Sequence, residues 1–138
     1  MEAVIFNRLQ ILINKTYYAT KRYKVPATFA LLYHEDPLTH DELGSFLRIS
    51  DHFIQIDDNH YFLNFSHTNQ EDAFKAAKNV LFGIDKHFNN QKSYIAIDTY
   101  DITKNPKIVY SRLEQILIET KKHSYTRIED EDVLNELI

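Results

Sequence analysis

Arg48-Ile49-Ser50-Asp51, then five residues, then Asp57-Asp58-Asn59-His60-Tyr61-Phe62 is the stretch on which the fold of this chain turns. His52 to Ile56 alternates, Asp57-Asp58-Asn59 is turn chemistry, and His60 to Phe65 alternates again. That pattern predicts a β-hairpin. Before it, Thr39-His40-Asp41-Glu42 has the spacing of a capping box and opens a short helix to about Arg48. After it, Thr68-Asn69-Gln70-Glu71 predicts a second box. That box opens a long helix, with Ala73, Ala77, Val80, Leu81, Ile84 and Phe88 at helical spacing and Asn89-Asn90 as the stop.

Working outward, Val4 to Arg22 reads as a helix with two apolar stripes. Ile5, Leu9, Leu12, Ile13 and Tyr17 form one stripe; Val4, Ile11 and Tyr18 form the other. A helix apolar on two sides suits burial on two sides, one in its own core and one against a second subunit. The competing explanation packs the second stripe on the edge of the chain's own sheet. Pro26 starts a strand from Ala27 to Glu35, whose Phe29-Ala30-Leu31-Leu32-Tyr33 run suits an interior position. Ser93 to Tyr100 reads as a strand, Ile108 to Lys122 as a helix, Tyr125 to Glu129 as a last strand and Asp130 to Ile138 as a terminal helix. The core order is helix, strand, helix, strand, strand, helix, strand, helix, strand. Its inner six elements are β-α-β-β-α-β, the ferredoxin-like order, which predicts an α+β domain with an antiparallel sheet of four to five strands and helices packed on it. The 138 residues suit one domain, with a leading helix at about 4–22 and a core at about 27–129.

Composition removes several function classes. There is no cysteine, so disulfide frameworks and thiolate chemistry are excluded. The formal net charge is −4, which disfavours a nucleic-acid partner. The longest apolar run is far too short to span a bilayer, so no membrane role is expected. Two glycines leave no Gly-rich phosphate cradle.

The spacing of Arg48 to Ala73 resembles the GGDEF (diguanylate cyclase) family, whose hairpin reads R-x-S-D, five residues, G-G-D-E-F. Smaller pieces fall in the same order. Asn7-Arg8 lies where the family starts its leading helix, and Arg22-Tyr23-x-x-Pro26 where it enters its first strand. Ile95-Ala96-Ile97-Asp98 is similar to a later strand, and Lys121 to Arg127 to the family's closing segment. The resemblance implies a nucleotide-cyclase fold and a bacterial, cytoplasmic signalling role.

The departures imply lost catalysis. The family's turn glycines are Asp57 and Asp58 here, and its acidic pair is Asn59 and His60. Its metal-binding aspartate at the end of the first strand aligns with Tyr33, and the segment that would hold base and phosphates is missing after Asp36-Pro37. Phosphodiester formation on a nucleoside triphosphate needs hard oxygen ligands for Mg²⁺. The expectation is therefore no enzyme activity, no cofactor and no catalytic residue.

Arg48 and Asp51 match the R-x-x-D of the family's product-inhibition site, which implies a receptor for cyclic di-GMP; a planar guanidinium fork suits such a ligand. Both residues are equally explained as a helix-end cation and a turn residue. His34, Glu35 and Asp36 with Asp57, Asp58 and His60 could build a Zn²⁺ or Mn²⁺ site, although no spacing motif supports one. The alternative function is protein interaction, through an unidentified partner or a homodimer formed by the leading helix.

Overall fold

The computed structural model describes residues 1–123 and 125–135, with the His123 side chain left out. The expected continuity of Lys121 to Arg127 across residue 124, and the end of the terminal helix beyond residue 135, lie outside the described residues.

Helix α1 (Ala3–Tyr23) ends where Lys24 turns left-handed at φ 54°. Pro26 follows and strand β1 (Ala27–His34) begins. Helix α2 (His40–Ser45) carries the predicted capping box: the Thr39 hydroxyl accepts from the Glu42 amide, and the Glu42 carboxylate accepts from the Thr39 amide. Strands β2 (His52–Gln55) and β3 (His60–Ser66) form the hairpin. Helix α3 (Gln70–Phe88) ends at left-handed Asn89. Its cap is one residue later than predicted. Asn69 accepts from the Asp72 amide, while the Thr68 hydroxyl donates to the Ser66 carbonyl and accepts from Arg48. Thr68 is thus unavailable as a cap because the hairpin region uses it. Strand β4 (Ser93–Thr99), a 3₁₀ turn (Pro106–Ile108), helix α4 (Val109–His123), strand β5 (Ile128–Glu129) and helix α5 (Asp132–Asn135) complete the order.

The five strands lie in the order β2-β3-β1-β4-β5. β1 is central, antiparallel to both β3 and β4. Helices α2 and α3 cover one face of the sheet, over Ala30, Leu32, Leu63, Ile95 and Ile97. Helices α1 and α4 cover the other, over Phe29, Leu31, Ile54, Phe62 and Ala96. Two roofs explain why β1 and β3 read as nearly continuous apolar runs: alternate side chains enter different cores.

Two local expectations need correction. β5 is shorter than the predicted Tyr125 to Glu129, and it pairs parallel to β4 rather than antiparallel. Arg127 sits at φ 65° immediately before it, a left-handed residue that stops the strand from starting earlier. The second stripe of α1 is not packed on the sheet edge: Val4, Ile11 and Tyr18 are 68%, 54% and 64% exposed. Among the described residues, no helix is long and apolar enough to cross a membrane.

Candidate functional site

The β1–β3 register sets Tyr33 directly opposite His60, with ring centroids 5.3 Å apart. The two positions that the resemblance assigns to metal carboxylates therefore do meet, as a phenol beside an imidazole. Lys121 of α4 puts its Nζ 3.5 Å from the centroid of the Tyr33 ring. Burial lowers the Lys121 ammonium pKa, against a smaller opposing pull from Asp57. The contact is cation–π in type, worth roughly 0.5–1 kcal/mol where solvent reaches it. Leu31, Asp57, His60, Tyr110 and Glu114 line the small cleft under this lysine, about 170 Å³ in volume. Tyr110 is buried enough there for its phenol to be pushed up to about 12.

The hairpin turn is built without glycine. Asp57 Oδ1 accepts from the amides of Asn59 and His60, both at 2.8 Å, and lies 2.8 Å from His60 Nδ1. Burial pushes the Asp57 carboxyl up, but those donors outweigh it and hold it below its usual range. Asn59 Nδ2 donates to the carbonyls of His34 and Glu35 at 3.1 and 2.8 Å, tying the turn to the end of β1. The Asp58 carbonyl accepts from the Tyr61 hydroxyl at 3.2 Å. The described non-glycine residues with positive φ are Lys24, His67, Asn89 and Arg127, so no turn residue needs the conformation that glycine supplies. Beside the turn, a groove of about 870 Å³ runs between the start of α1 and α4; Phe6, Asp57, Asp58, Tyr110 and Glu114 are among its walls.

The strand end and the turn adjoin, as the metal-site expectation requires, yet their side chains point to other partners. His34 is fully buried, with Nδ1 2.6 Å from Ser93 Oγ and its ring 4.7 Å from that of Phe88. His60 faces Asp57. No group of three or more His, Asp or Glu residues is placed to hold a metal ion among the described residues.

Arg48 and Asp51 are also brought together. Arg48 Nε and Nη2 donate to the two carboxylate oxygens of Asp51 at 3.1 and 2.8 Å, and the Arg48 amide donates to Asp51 Oδ2 at 3.0 Å. Nη2 also donates to Thr68 at 2.8 Å. The Asp51 side chain is 1% exposed and that of Arg48 is 50% exposed. The bond to Asp51 raises the Arg48 pKa further. This bidentate pair closes the α2–β2 connection and anchors it to the start of α3.

Sequence reading missed several side chains that organise this frame. Lys121 lies on a helix whose periodicity reports only its buried residues. His87 Nε2 stands 2.6 Å from Glu42 and links α3 to α2. Arg112 grips buried Asp98 through two bonds of 2.9 and 3.1 Å, joining α4 to β4. Arg127 pairs with Asp85 of α3. All four contacts join residues distant in sequence, so spacing carried no signal. Tyr94 and Tyr100 pack beneath α1 and α4; Tyr100 meets the Tyr17 ring edge-on at 4.8 Å.

No family model matches the sequence, and no curated protein matches it either. Solved structures do match. One is the diguanylate cyclase SiaD from Pseudomonas aeruginosa, in complex with its activator SiaC. It superposes with a TM-score of 0.72 at 13% identity, over 90% of this chain and 57% of that one. The chain thus spans little more than half of SiaD. The GGDEF domain of DgcB from Caulobacter crescentus, in complex with c-di-GMP, gives 0.72 at 7% identity over 88% of this chain and 85% of that one. An active GGEEF domain of a diguanylate cyclase from Vibrio cholerae gives 0.68 at 17% identity over 90% and 94%. With its five-stranded order, its hairpin and its leading helix all in place, the chain has the fold of the GGDEF domains of diguanylate cyclases.

Proposed function

We propose that this chain is a catalytically silent domain of GGDEF fold that works as a regulatory module through protein contact. One observation carries the loss of catalysis. Where a cyclase would need two oxygen ligands for a divalent cation, Tyr33 and His60 face each other, and the Lys121 ammonium lies over the Tyr33 ring. A fixed positive charge repels Mg²⁺, and neither a phenol nor an imidazole is a hard-oxygen substitute for a carboxylate. Purified protein incubated with GTP and Mg²⁺ or Mn²⁺ should release neither pyrophosphate nor a cyclic dinucleotide. Turnover by the unaltered chain that persists through further purification would refute the proposal.

Protein contact is favoured over a ligand role because the Asp51 carboxylate, the group that would accept from a guanine, is already saturated by Arg48 and shut away from solvent. SiaD, a neighbour in fold, is held in complex with a protein activator. Cyclic di-GMP bound at Arg48 and Asp51 is the second reading, and one observation favours it. The Arg48 bonds run through the amide, Nε and Nη2, so the outer edge of a half-exposed guanidinium still faces solvent. Titration calorimetry with cyclic di-GMP separates the two. Protein contact predicts no heat at high micromolar ligand, whereas saturable heat abolished by Arg48→Ala establishes the receptor.

A further inference from the structure

The outer surface of α1 carries a pattern that neither the fold nor the hairpin uses. Val4, Arg8, Ile11, Lys15, Tyr18 and Arg22 follow one another at alternating steps of four and three residues, which places all six on one line along the helix. All six are exposed. The line alternates apolar and basic residues three times over. Helix α1 contains Arg8, Lys15, Lys21 and Arg22 and no Asp or Glu, in a chain whose formal net charge is −4. Among the described residues none of Arg8, Lys15 and Arg22 meets a carboxylate; Arg22 instead donates to the Tyr18 hydroxyl at 2.9 Å and lies over the Tyr23 ring. The helix thus carries basic residues without acidic ones, and the charge along this line is left unneutralised.

We infer that this line is the docking seam for an acidic amphipathic helix of a partner protein. The inference rests on the interaction reading above and names the class of partner. An apolar residue every seven positions offers knobs to a helix laid alongside, and the cation after each knob offers a partner for a carboxylate. A parallel second copy in register would set each cation against its own counterpart, which like-charge repulsion opposes, and an antiparallel one would pair Arg22 with Val4, Arg8 with Tyr18 and Lys15 with Ile11, so neither supplies the carboxylates that an acidic helix brings. A membrane surface fits poorly as well. There the apolar residues must form a continuous face that sinks past flanking cations, and here the cations interrupt the line itself.

The test uses the whole chain and a synthetic helical peptide with leucine every seven residues and glutamate beside each leucine, with a lysine version as control. Fluorescence anisotropy should show saturable binding of the acidic peptide and none of the basic one. Raising salt from about 0.05 to about 0.5 M should weaken binding ~tenfold or more, since a rim of charge is screened over a few ångströms. Arg8→Glu with Lys15→Glu should reverse the peptide preference. Ile11→Ser should remove binding while circular dichroism stays unchanged, because Ile11 contributes nothing to the core. Failure of the acidic peptide to bind overturns the inference. So does dimerisation by light scattering that Ile11→Ser abolishes, or binding to anionic phosphatidylserine vesicles without peptide binding. GTP turnover, measured on the same sample, would sink the silent-domain reading instead, so the two failures are told apart.

Discussion

Asp51 shows how much one carboxylate can be made to do. Its side chain is closed off from water and takes three donors from Arg48. Arg48→Ala leaves that charge buried with its two guanidinium donors gone, so the variant should lose about 1–3 kcal/mol in urea unfolding. Asp51→Asn should cost less, since an amide is easier to bury than an unpaired carboxylate. An equal loss from both would mean that the pairing does not govern this site. His34 supplies a pH dependence. Burial pulls its pKa below the usual 6.5, with Asp36, Asp85 and Glu35 pulling up and Lys92 pushing down. The unfolded chain then takes up a proton more readily than the folded one. The His34 contribution is complete above pH ~6.5 and declines as pH falls from there towards the lowered native value. Urea midpoints between pH 8 and 5 should slope downward with acidity, and His34→Leu should flatten that slope; an unchanged slope would assign it to other groups. Asp57 and Glu42, both held below the ordinary carboxylate range, lose their contributions only at lower pH.

At the scale of elements, caps and packing make separable predictions. Asn69→Ala removes the observed cap of α3 and should cost about 1 kcal/mol. Thr68→Ala should also destabilise, but by loosening Arg48 and the Ser66 turn rather than the helix start. A double-mutant cycle of Thr68→Ala with Arg48→Ala should therefore be non-additive, whereas Asn69→Ala with Arg48→Ala should add. Gly83 lies within α3, and a Cβ there would come 2.5 Å from Cδ1 of Phe46. Gly83→Ala gains up to about 1 kcal/mol of helix propensity and meets an overpacking cost of about 1–3 kcal/mol, so the balance should be destabilising. The variant with Phe46→Leu added should recover part of the loss. Elements were legible because their signals are local: the box at Thr39, the apolar spacing from Ala73 to Ile84 and the hairpin spacing around Asp57 each lie within a few residues. The cap of α3 was misplaced by one residue because Thr68 is claimed by Arg48, twenty positions earlier, and no local pattern reports such a claim. β5 was overdrawn because Tyr125-Thr126 has strand-like composition while Arg127 adopts a left-handed turn.

At the scale of the whole molecule, two roofs on one sheet fix what lies inside and what faces out. The β-α-β-β-α-β core was legible, and with it that the end of the first strand and the hairpin turn adjoin; the register that sets Tyr33 against His60 comes from long-range pairing that local spacing does not report. Lys121 over the Tyr33 ring was not legible either, because it depends on how α4 lies across the sheet. Nor could the sequence choose between an inward and an outward second stripe on α1, because that depends on how the helix lies on the sheet. The central place of β1 has a kinetic corollary. Its amides and carbonyls are bonded on both sides, to β3 and to β4, and both its faces are covered. Either margin of the sheet, the four-residue β2 or the two-residue β5, can fray without loosening it. In deuterated buffer the protons from Phe29 to Leu32 should be the last to exchange, surrendered only when the entire chain opens at once.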